Sequence, residues 1–139
     1  MAMVISDEGE LALLNYMIKD VSVSDPMILR LFKNDYTPDG DATDGSFTEA
    51  DFSDYAAVTL ARGTWNAAVT NGSDKAESSY GSAAQSWTCG ASGNTVYGYW
   101  VETNDVTPTV LWAERFSTAR VLAENDILNI QPKITLSTE

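Results

Sequence analysis

The chain has 139 residues, the size of one ordinary domain, and its 44% hydrophobic content and four tryptophans exclude wholesale disorder. Twenty acidic residues against eight basic ones give a net charge of -12, which disfavours binding to nucleic acid and to anionic membrane surfaces. A single cysteine, Cys89, excludes an intrachain disulfide, and the apolar stretches are too short to span a membrane.

The first predicted element is a helix over residues 7–20, in an N-terminal helical segment of residues 1–25. Asp7 and Glu10 have the spacing of a capping box. One apolar face with helical periodicity is formed by Leu14, Met17, Ile18 and Val21. The Asp25-Pro26 pair excludes a helix that continues beyond it. The apolar face is expected either to cap the chain's own core or to contact a partner.

A period of two begins at Met27, which predicts a strand over residues 27–32 that is buried on most of both sides. Residues 34–45 are rich in Asn, Asp, Gly, Thr and Pro and predict a loop. Residues 47–52 are expected to hold one helical turn with Thr48 as its N-cap.

Further short strands are predicted from alternation at residues 56–60 and 65–69, the latter followed by an Asn71-Gly72 turn. Residues 72–86 are small and polar and give no clear pattern. In the strand at residues 95–103, Val96, Gly98 and Trp100 are expected to oppose Tyr97, Tyr99 and Val101. In the next strand, Val110, Trp112, Glu114 and Phe116 are expected to oppose Leu111, Ala113 and Arg115. Residues 121–122, 127–130 and 134–136 complete the series.

About eight short strands with frequent turns predict a mainly β, antiparallel sandwich or jelly-roll-like single domain. The sandwich is expected over residues 26–139, after the short N-terminal helix. The acidity is concentrated at the start, since residues 1–54 carry 12 acidic and 3 basic groups, net -9, whereas residues 55–139 carry 8 and 5, net -3.

The sequence holds few of the residues that enzymes use. It has no histidine, so Ser-His and Cys-His nucleophiles and histidine metal sites are excluded. Cys89 has no basic neighbour in sequence and is expected to be structural, and no phosphate-binding glycine loop is present. With twenty acidic residues, a chance carboxylate pair is a better interpretation than glycoside hydrolysis. We therefore expect no enzymatic activity, no catalytic residues and no cofactor.

Asp39, Asp41 and Asp44 cluster in the predicted loop and raise the possibility of calcium, which prefers clustered oxygen ligands. The EF-hand register fails, because Asp44 stands where that motif requires Gly and Ala50 where it requires Glu. A solvated acidic loop without a metal is the favoured interpretation.

The aromatic residues and Glu114 allow two interpretations each. The tryptophans could stack on sugar rings, but in β-strands such residues are more often core; they are Trp65, Trp87, Trp100 and Trp112. Trp100 and Trp112 in particular are expected to be buried. Glu114 is expected to pair with an arginine on a neighbouring strand or lie at a sheet edge, and the alternative is an interface contact.

Four segments resemble those of small virion structural proteins of tailed bacteriophages. They are residues 47–52 (FTEADF) with Tyr55, 95–101 (TVYGYWV), 111–116 (LWAERF) and 132–137 (PKITLS). Members of this group include capsid cement, or decoration, proteins. The resemblance runs from about residue 27 to 137, is weakest over 71–93, and brings no catalytic residues with it. The acidic loop is not a feature of the group.

The resemblance implies a cement protein on the outer surface of the phage head, made in the host cytoplasm, that binds the major capsid protein and itself. The lack of a secretory signal pattern agrees with synthesis in a cytoplasm. A homotrimer is expected, with a dimer as the alternative, because closed symmetry suits a capsid lattice. Only Lys33 and Lys133 are placed to blunt exposed strand edges, which favours coverage by a neighbour. The alternative function is a tail fibre or adhesin module that binds host glycans.

Overall fold

The computed structural model describes residues 3–22 and 25–136, and it confirms the mainly antiparallel β fold, with 41% strand, 14% helix and one short helix near the N-terminus. Short 3-10 helices lie at Asp44–Ser46 and Arg62–Thr64. The helix and strands, in chain order, are β1 (Met3–Ile5), α1 (Asp7–Ile18), β2 (Met27–Phe32), β3 (Val58–Leu60), β4 (Val69–Thr70), β5 (Ala76–Ser79), β6 (Gln85–Thr88), β7 (Thr95–Thr103), β8 (Val110–Val121), β9 (Ile127–Ile130) and β10 (Lys133–Leu136).

The largest sheet has five strands in the order β1-β8-β7-β2-β3, and its centre is the long β7–β8 hairpin. Smaller sheets, β10-β5-β4 and β6-β9, pack against one of its faces. All the pairings are antiparallel. The β-branched and aromatic residues of β7 and β8 favour extended backbone. The predicted strand at 95–103 matches β7, whereas β8 runs to Val121, past the predicted end at residue 116 and into the separate strand predicted at 121–122.

The two faces of the five-stranded sheet bury two separate apolar clusters. The alternation in β2 is confirmed, since Leu29 and Leu31 enter one cluster and Phe32 the other. The inner cluster lies between the large and small sheets and also takes in Tyr80, Trp87, Leu128 and Ile130. The outer cluster lies under the loop that follows β2 and consists of Phe32, Ala42, Phe47, Trp100, Val110 and Ala113.

Bulges change the expected alternation in β7 and β8. The β7–β8 register shifts between Val96 and Gly98 and again between Val101 and Glu102. As a result Val96 packs in the inner cluster, opposite the side predicted for it, while Tyr97 packs against the outer one. In β8, Leu111 and Trp112 share the inner cluster although they are adjacent, and Val110 lies in the outer one. An extra residue in one strand reverses which face each following side chain takes.

The region after β2 corrects one local prediction. Residues 47–52 hold no helical turn, and the 3-10 helix lies earlier, at Asp44–Ser46 with Thr43 as its N-cap. Thr48 instead accepts a hydrogen bond from the backbone of Lys33, 2.8 Å, and Ala50 donates one to Leu31, 2.8 Å. This segment therefore extends the pairing of β2. The pairing satisfies backbone hydrogen-bonding groups of both segments, which an isolated turn would not do.

The strand predicted at residues 65–69 is also mostly wrong. Trp65 makes a single bridge to Tyr80, and only Val69–Thr70 is a strand. The turn signal itself is right, because Asn71 closes a tight loop before β5 by accepting from the backbone of Lys75 with its side chain, 3.2 Å. The unclear stretch at 72–86 contains β5 and the start of β6, two strands that sequence reasoning missed.

The N-terminal segment is more than a helix. β1 precedes α1 and pairs with β8, which the sequence did not predict. The helix is capped by Ser6, whose side chain accepts from the backbone of Gly9, so Asp7 is the first helical residue and not the cap. The helix ends at Ile18, two residues before the predicted end, and Asp20 takes a left-handed conformation with φ 54°. The ends of the predicted ranges, at residues 1–2, 23–24 and 137–139, lie outside the described residues.

Candidate binding surfaces

The inner face of α1 is fixed to β8 at its N-terminal end. The hydroxyl of Ser6 donates to the carbonyl of Val110 over 2.5 Å, and the Glu8 carboxylate accepts from the Val110 amide over 2.7 Å. Gly9 lies so close that a Cβ there would be 2.2 Å from the Leu111 carbonyl oxygen. Because polar and steric contacts both hold this end, the helix has one defined position on the sheet.

The opposite face of α1 is an apolar surface that is largely exposed to solvent. We call it the outer stripe, and it consists of Leu11, Leu14, Met17, Ile18 and, just after the helix, Val21. These residues are 47–75% exposed. Ala12 and Tyr16, on the other side, are the helix residues that pack on the inner cluster. The predicted apolar face therefore exists, but it points away from the core, so the expectation that it caps the chain's own core is wrong.

A helix that is apolar on both faces is usually buried on both. Large exposed apolar patches on a folded protein mark sites of interaction, whereas single exposed apolar residues do not. The outer stripe spans about two turns of one anchored helix, and with Val21 just beyond the helix it presents five such residues. It is the strongest candidate for a binding surface in residues 3–22 and 25–136.

An apolar cavity of about 250 Å³ lies beneath the C-terminal half of α1. Its lining includes Tyr16, Leu111, Trp65 and Trp112, and Arg62 is its only charged residue within the described chain. The Nε1 atoms of both indoles are buried without a hydrogen bond of ordinary geometry, although Trp112 approaches the Tyr99 hydroxyl. The Ser78 hydroxyl also lines the cavity and donates to the Asn66 carbonyl over 2.8 Å.

Glu114 lies in a second cleft, of about 260 Å³, on the side of Trp112 and Phe116, as strand alternation predicts. It does not pair with an arginine: its carboxylate accepts from the hydroxyl of Tyr99 over 2.5 Å. Burial, and then the neighbouring Glu114 charge, raise the pKa of Tyr99 well above its usual range. The hydrogen bond from the buried Tyr99 hydroxyl accounts for the position of Glu114, and no contact with a partner is needed to explain it.

The most buried charged group is Glu102, which sequence reasoning missed. It is 1% exposed and accepts from Arg30 Nε over 2.6 Å and from Trp100 Nε1 over 2.7 Å. Arg30 also contacts both oxygens of Glu49 at 2.9 Å, and the Tyr55 hydroxyl donates to Glu49 over 2.9 Å. Burial raises the pKa of Glu102, while the hydrogen bonds from Arg30 and Trp100 oppose that rise.

This network is structural in its geometry. Each charged group has a hydrogen-bonded partner of opposite sign, which is the condition under which buried charges are tolerated. The sequence signal was weak, because Arg30 and Glu102 lie far apart in the chain. They come together only because β2 pairs with β7, which places Glu102 opposite Ile28, two residues from Arg30.

The acidic loop does not gather its carboxylates. Asp44 begins a 3-10 helix and Asp39 accepts from the Tyr36 hydroxyl over 3.3 Å. Across the two described ranges, no group of three or more Asp, Glu, Cys or His side chains is placed to hold a metal ion. Asp39, Asp41 and Asp44 are therefore close in sequence, but their carboxylates do not form a cluster that could hold a metal ion.

Cys89 is a fully buried free thiol. Its Sγ lies 3.5 Å from the Gly90 carbonyl and 3.6 Å from that of Ser92. Burial raises the pKa of this thiol, and the carboxylates of Asp126 and Asp54 add to the rise. The thiolate needed for nucleophilic or redox chemistry is thus disfavoured, in agreement with the structural interpretation.

The tryptophans belong to the core. Trp87, Trp100 and Trp112 are buried, and the prediction for the last two is confirmed at 2% and 3% exposure. Trp65 is half-buried and packs edge-on against Trp112 and Tyr80. Three of the four indoles are therefore core residues, whereas Trp65 is partly exposed and lines the apolar cavity beside Trp112.

A scan of the chain against protein-family models finds no match, and neither does a search of the curated proteins. In the part of the chain that the structure describes, no helix is both long and apolar enough to cross a membrane.

Proposed function

We propose that this chain is a non-enzymatic structural protein of a tailed-phage virion, and that it acts as a cement protein on the outer surface of the head. In this function it binds the major capsid protein, bridges neighbouring subunits and self-associates. The observation that carries the proposal is the outer stripe of α1, an apolar surface on a firmly anchored helix. A surface of this kind binds protein, since it offers neither charge for a nucleic acid nor a pocket for a substrate.

The charge distribution supports a basic partner surface. Residues 1–54 carry a net charge of -9, and the first turn of α1 contributes Asp7, Glu8 and Glu10. Electrostatic complementarity of this kind speeds docking and selects partners more than it adds affinity. The outer stripe would then serve the self-association of the chain, while the acidic groups orient it on basic capsid patches.

The disposition of the polar groups supports a role without catalysis. Glu102, Glu49 and Glu114 are committed to Arg30, Trp100, and two tyrosines, and the Cys89 thiol is buried. The chain has no histidine. The resemblance of its strand segments to those of phage virion proteins adds the biological setting.

A cement protein needs only weak individual contacts. Many identical contacts repeated on a lattice give high avidity, and binding only the mature shell stabilises that shell by linkage. Self-association, as a trimer or a dimer, would let one assembly engage several capsid subunits. It would also cover exposed sheet edges, for which the described chain offers few lysines in its strands.

The glycan-binding alternative draws little support from Trp87, Trp100 and Trp112, because these three indoles are buried. Copy number separates the two functions. We expect a cement protein to be present in roughly hundreds of copies per particle, because it repeats with the lattice. A tail or fibre component would be present in roughly a few to a few dozen copies.

The experiment is the binding of purified protein to phage heads that have been emptied of DNA, measured by co-sedimentation with quantified stoichiometry. We expect saturable binding at a lattice-like copy number, and a higher melting temperature of the shell. Binding to host cells together with no binding to heads would overturn the proposal in favour of the adhesin.

A further inference from the structure

We propose that the outer stripe is covered by a second copy of this chain, with the two α1 helices packed antiparallel about a two-fold axis. This names the partner of the surface described above and rests on the proposed function for its place on a capsid. The dimer itself is expected of the purified chain alone. The argument uses the spacing, charge and size of the surface.

The spacing of the outer stripe suits a second helix. Within α1, Leu11, Leu14 and Ile18 follow i, i+3 and i+7, which forms one seam that Met17 broadens, and Val21 lies beyond the end of the helix. Seams of this kind pack against one another ridge into groove at a shallow angle. A two-fold contact uses the same patch on both copies, so one apolar stripe is sufficient for both sides of the interface.

The charge along α1 selects the antiparallel direction. Its first turn carries Asp7, Glu8 and Glu10, and Lys19 stands at the opposite end as the C-cap. Antiparallel packing places Lys19 of each copy beside the acidic first turn of the other and opposes the two helix dipoles. A parallel pair, or a trimer about an axis along the helices, would instead bring the acidic ends together.

The helix is presented in a way that a partner can use. Ser6 and Gly9 hold its inner face on β8, so pairing does not require α1 to leave the sandwich. The outer stripe points to the opposite side, where its side chains are largely exposed. A partner helix therefore meets a surface that is already ordered, which lowers the entropic cost of association.

The size of the stripe sets the expected strength. Roughly half to three-quarters of each of its five side chains is exposed, which places the interface at the small, transient end of the usual range. Two copies that each carry a net charge of -12 also repel one another. We expect a dissociation constant on the order of 10–100 µM in 0.15 M salt, and tighter association in 0.5 M NaCl, because salt screens that repulsion.

The first test is sedimentation equilibrium of the full chain between 1 and 300 µM. We expect the mass to rise from one chain to two. Leu14→Glu combined with Ile18→Glu should remain monomeric over the whole range. Val106→Glu is the matched control, because Val106 is fully exposed on the loop between β7 and β8. It should dimerise like the wild type, and far-UV circular dichroism should show that all three proteins are folded.

The second test concerns direction. A tagged Leu11→Cys chain is mixed with an untagged Ile18→Cys chain under mild oxidation, and the buried Cys89 stays inert. Antiparallel packing predicts mainly the mixed 11–18 disulfide. A parallel arrangement predicts 11–11 and 18–18 products, and that result, or a trimer by mass, would overturn the two-fold proposal.

A wild-type chain that remains monomeric at 300 µM in 0.5 M NaCl would also overturn it. These measurements contain no heads, so they are independent of the proposed function. A monomer that still binds heads would refute this inference and leave the cement function standing. A dimer that does not bind heads would do the reverse.

Discussion

Trp100 is the residue whose replacement tests the buried polar network most directly. Its ring stacks on Phe47 with centroids 4.8 Å apart and planes 9° from parallel, and its Nε1 donates to the Glu102 carboxylate over 2.7 Å. Phenylalanine in its place keeps an aromatic ring but removes the donor. We therefore expect Trp100→Phe to lose packing and, in addition, a hydrogen bond to a buried charged group.

The matched control is Trp112→Phe. Trp112 is as deeply buried, but its Nε1 makes no hydrogen bond of ordinary geometry, so its replacement costs packing alone. A packing loss of about 1–2 kcal/mol is expected at each site from the smaller ring. The lost hydrogen bond to a charged group adds about 1.5–3 kcal/mol at Trp100 only. Trp100→Phe should therefore lower the free energy of unfolding by about 1.5–3 kcal/mol more than Trp112→Phe does.

The assay is urea unfolding followed by far-UV circular dichroism, with linear extrapolation and a check that the slope m is unchanged. A double-mutant cycle with Glu102→Gln assigns the difference to the Trp100–Glu102 contact, with a coupling of about 1 kcal/mol or more. Truncation to alanine at either tryptophan should cost about 3–5 kcal/mol.

Equal losses for the two phenylalanine variants, within about 0.5 kcal/mol, would refute the reasoning about the hydrogen bond. A loss below about 1 kcal/mol for both alanine variants would mean that the indoles are not core residues, and the glycan-binding alternative would regain support.

Three further predictions concern single groups. Gly9→Ala should lower the melting temperature, because a Cβ there would lie 2.2 Å from the Leu111 carbonyl oxygen. We expect this clash to cost about 1–3 kcal/mol, against a gain of about 1 kcal/mol in helix propensity. An equal or higher melting temperature would contradict this. Burial raises the pKa of Tyr55 and Tyr99, so the free energy of unfolding should fall as pH rises above about 10, where the phenols of the unfolded chain ionise. Ultraviolet titration should show that these two tyrosines ionise only as the chain unfolds; their ionisation in the native protein would contradict this. The buried Cys89 should resist a thiol reagent at pH 8 until the chain is denatured, and immediate stoichiometric labelling of native protein would show that the thiol is accessible.

The candidate surface could be located from the sequence only in part. The 3.6-residue period predicts that Leu14, Met17, Ile18 and Val21 share one face of a helix. The first three lie on α1 and are exposed, whereas Val21 lies beyond the end of the helix at Ile18. The period cannot say which face meets the core, because α1 has apolar residues on both sides. That choice is made by Gly9, whose missing side chain allows the helix to approach β8 closely, and by Ser6, which bonds to Val110.

The fold class, the alternating strand β2, the bounds of β7, and the position of α1 to within two residues follow from local patterns, because periodicity and turn chemistry act between near neighbours in the chain. Only the tertiary structure decides features that depend on distant partners. The bulges that move Val96 and Leu111 to unexpected faces, the short strands β1, β5 and β6, and the contacts of Glu102 with Arg30 all depend on pairing between separate segments. Such pairings leave little trace in local composition, since each half has an ordinary sequence until its partner is in place.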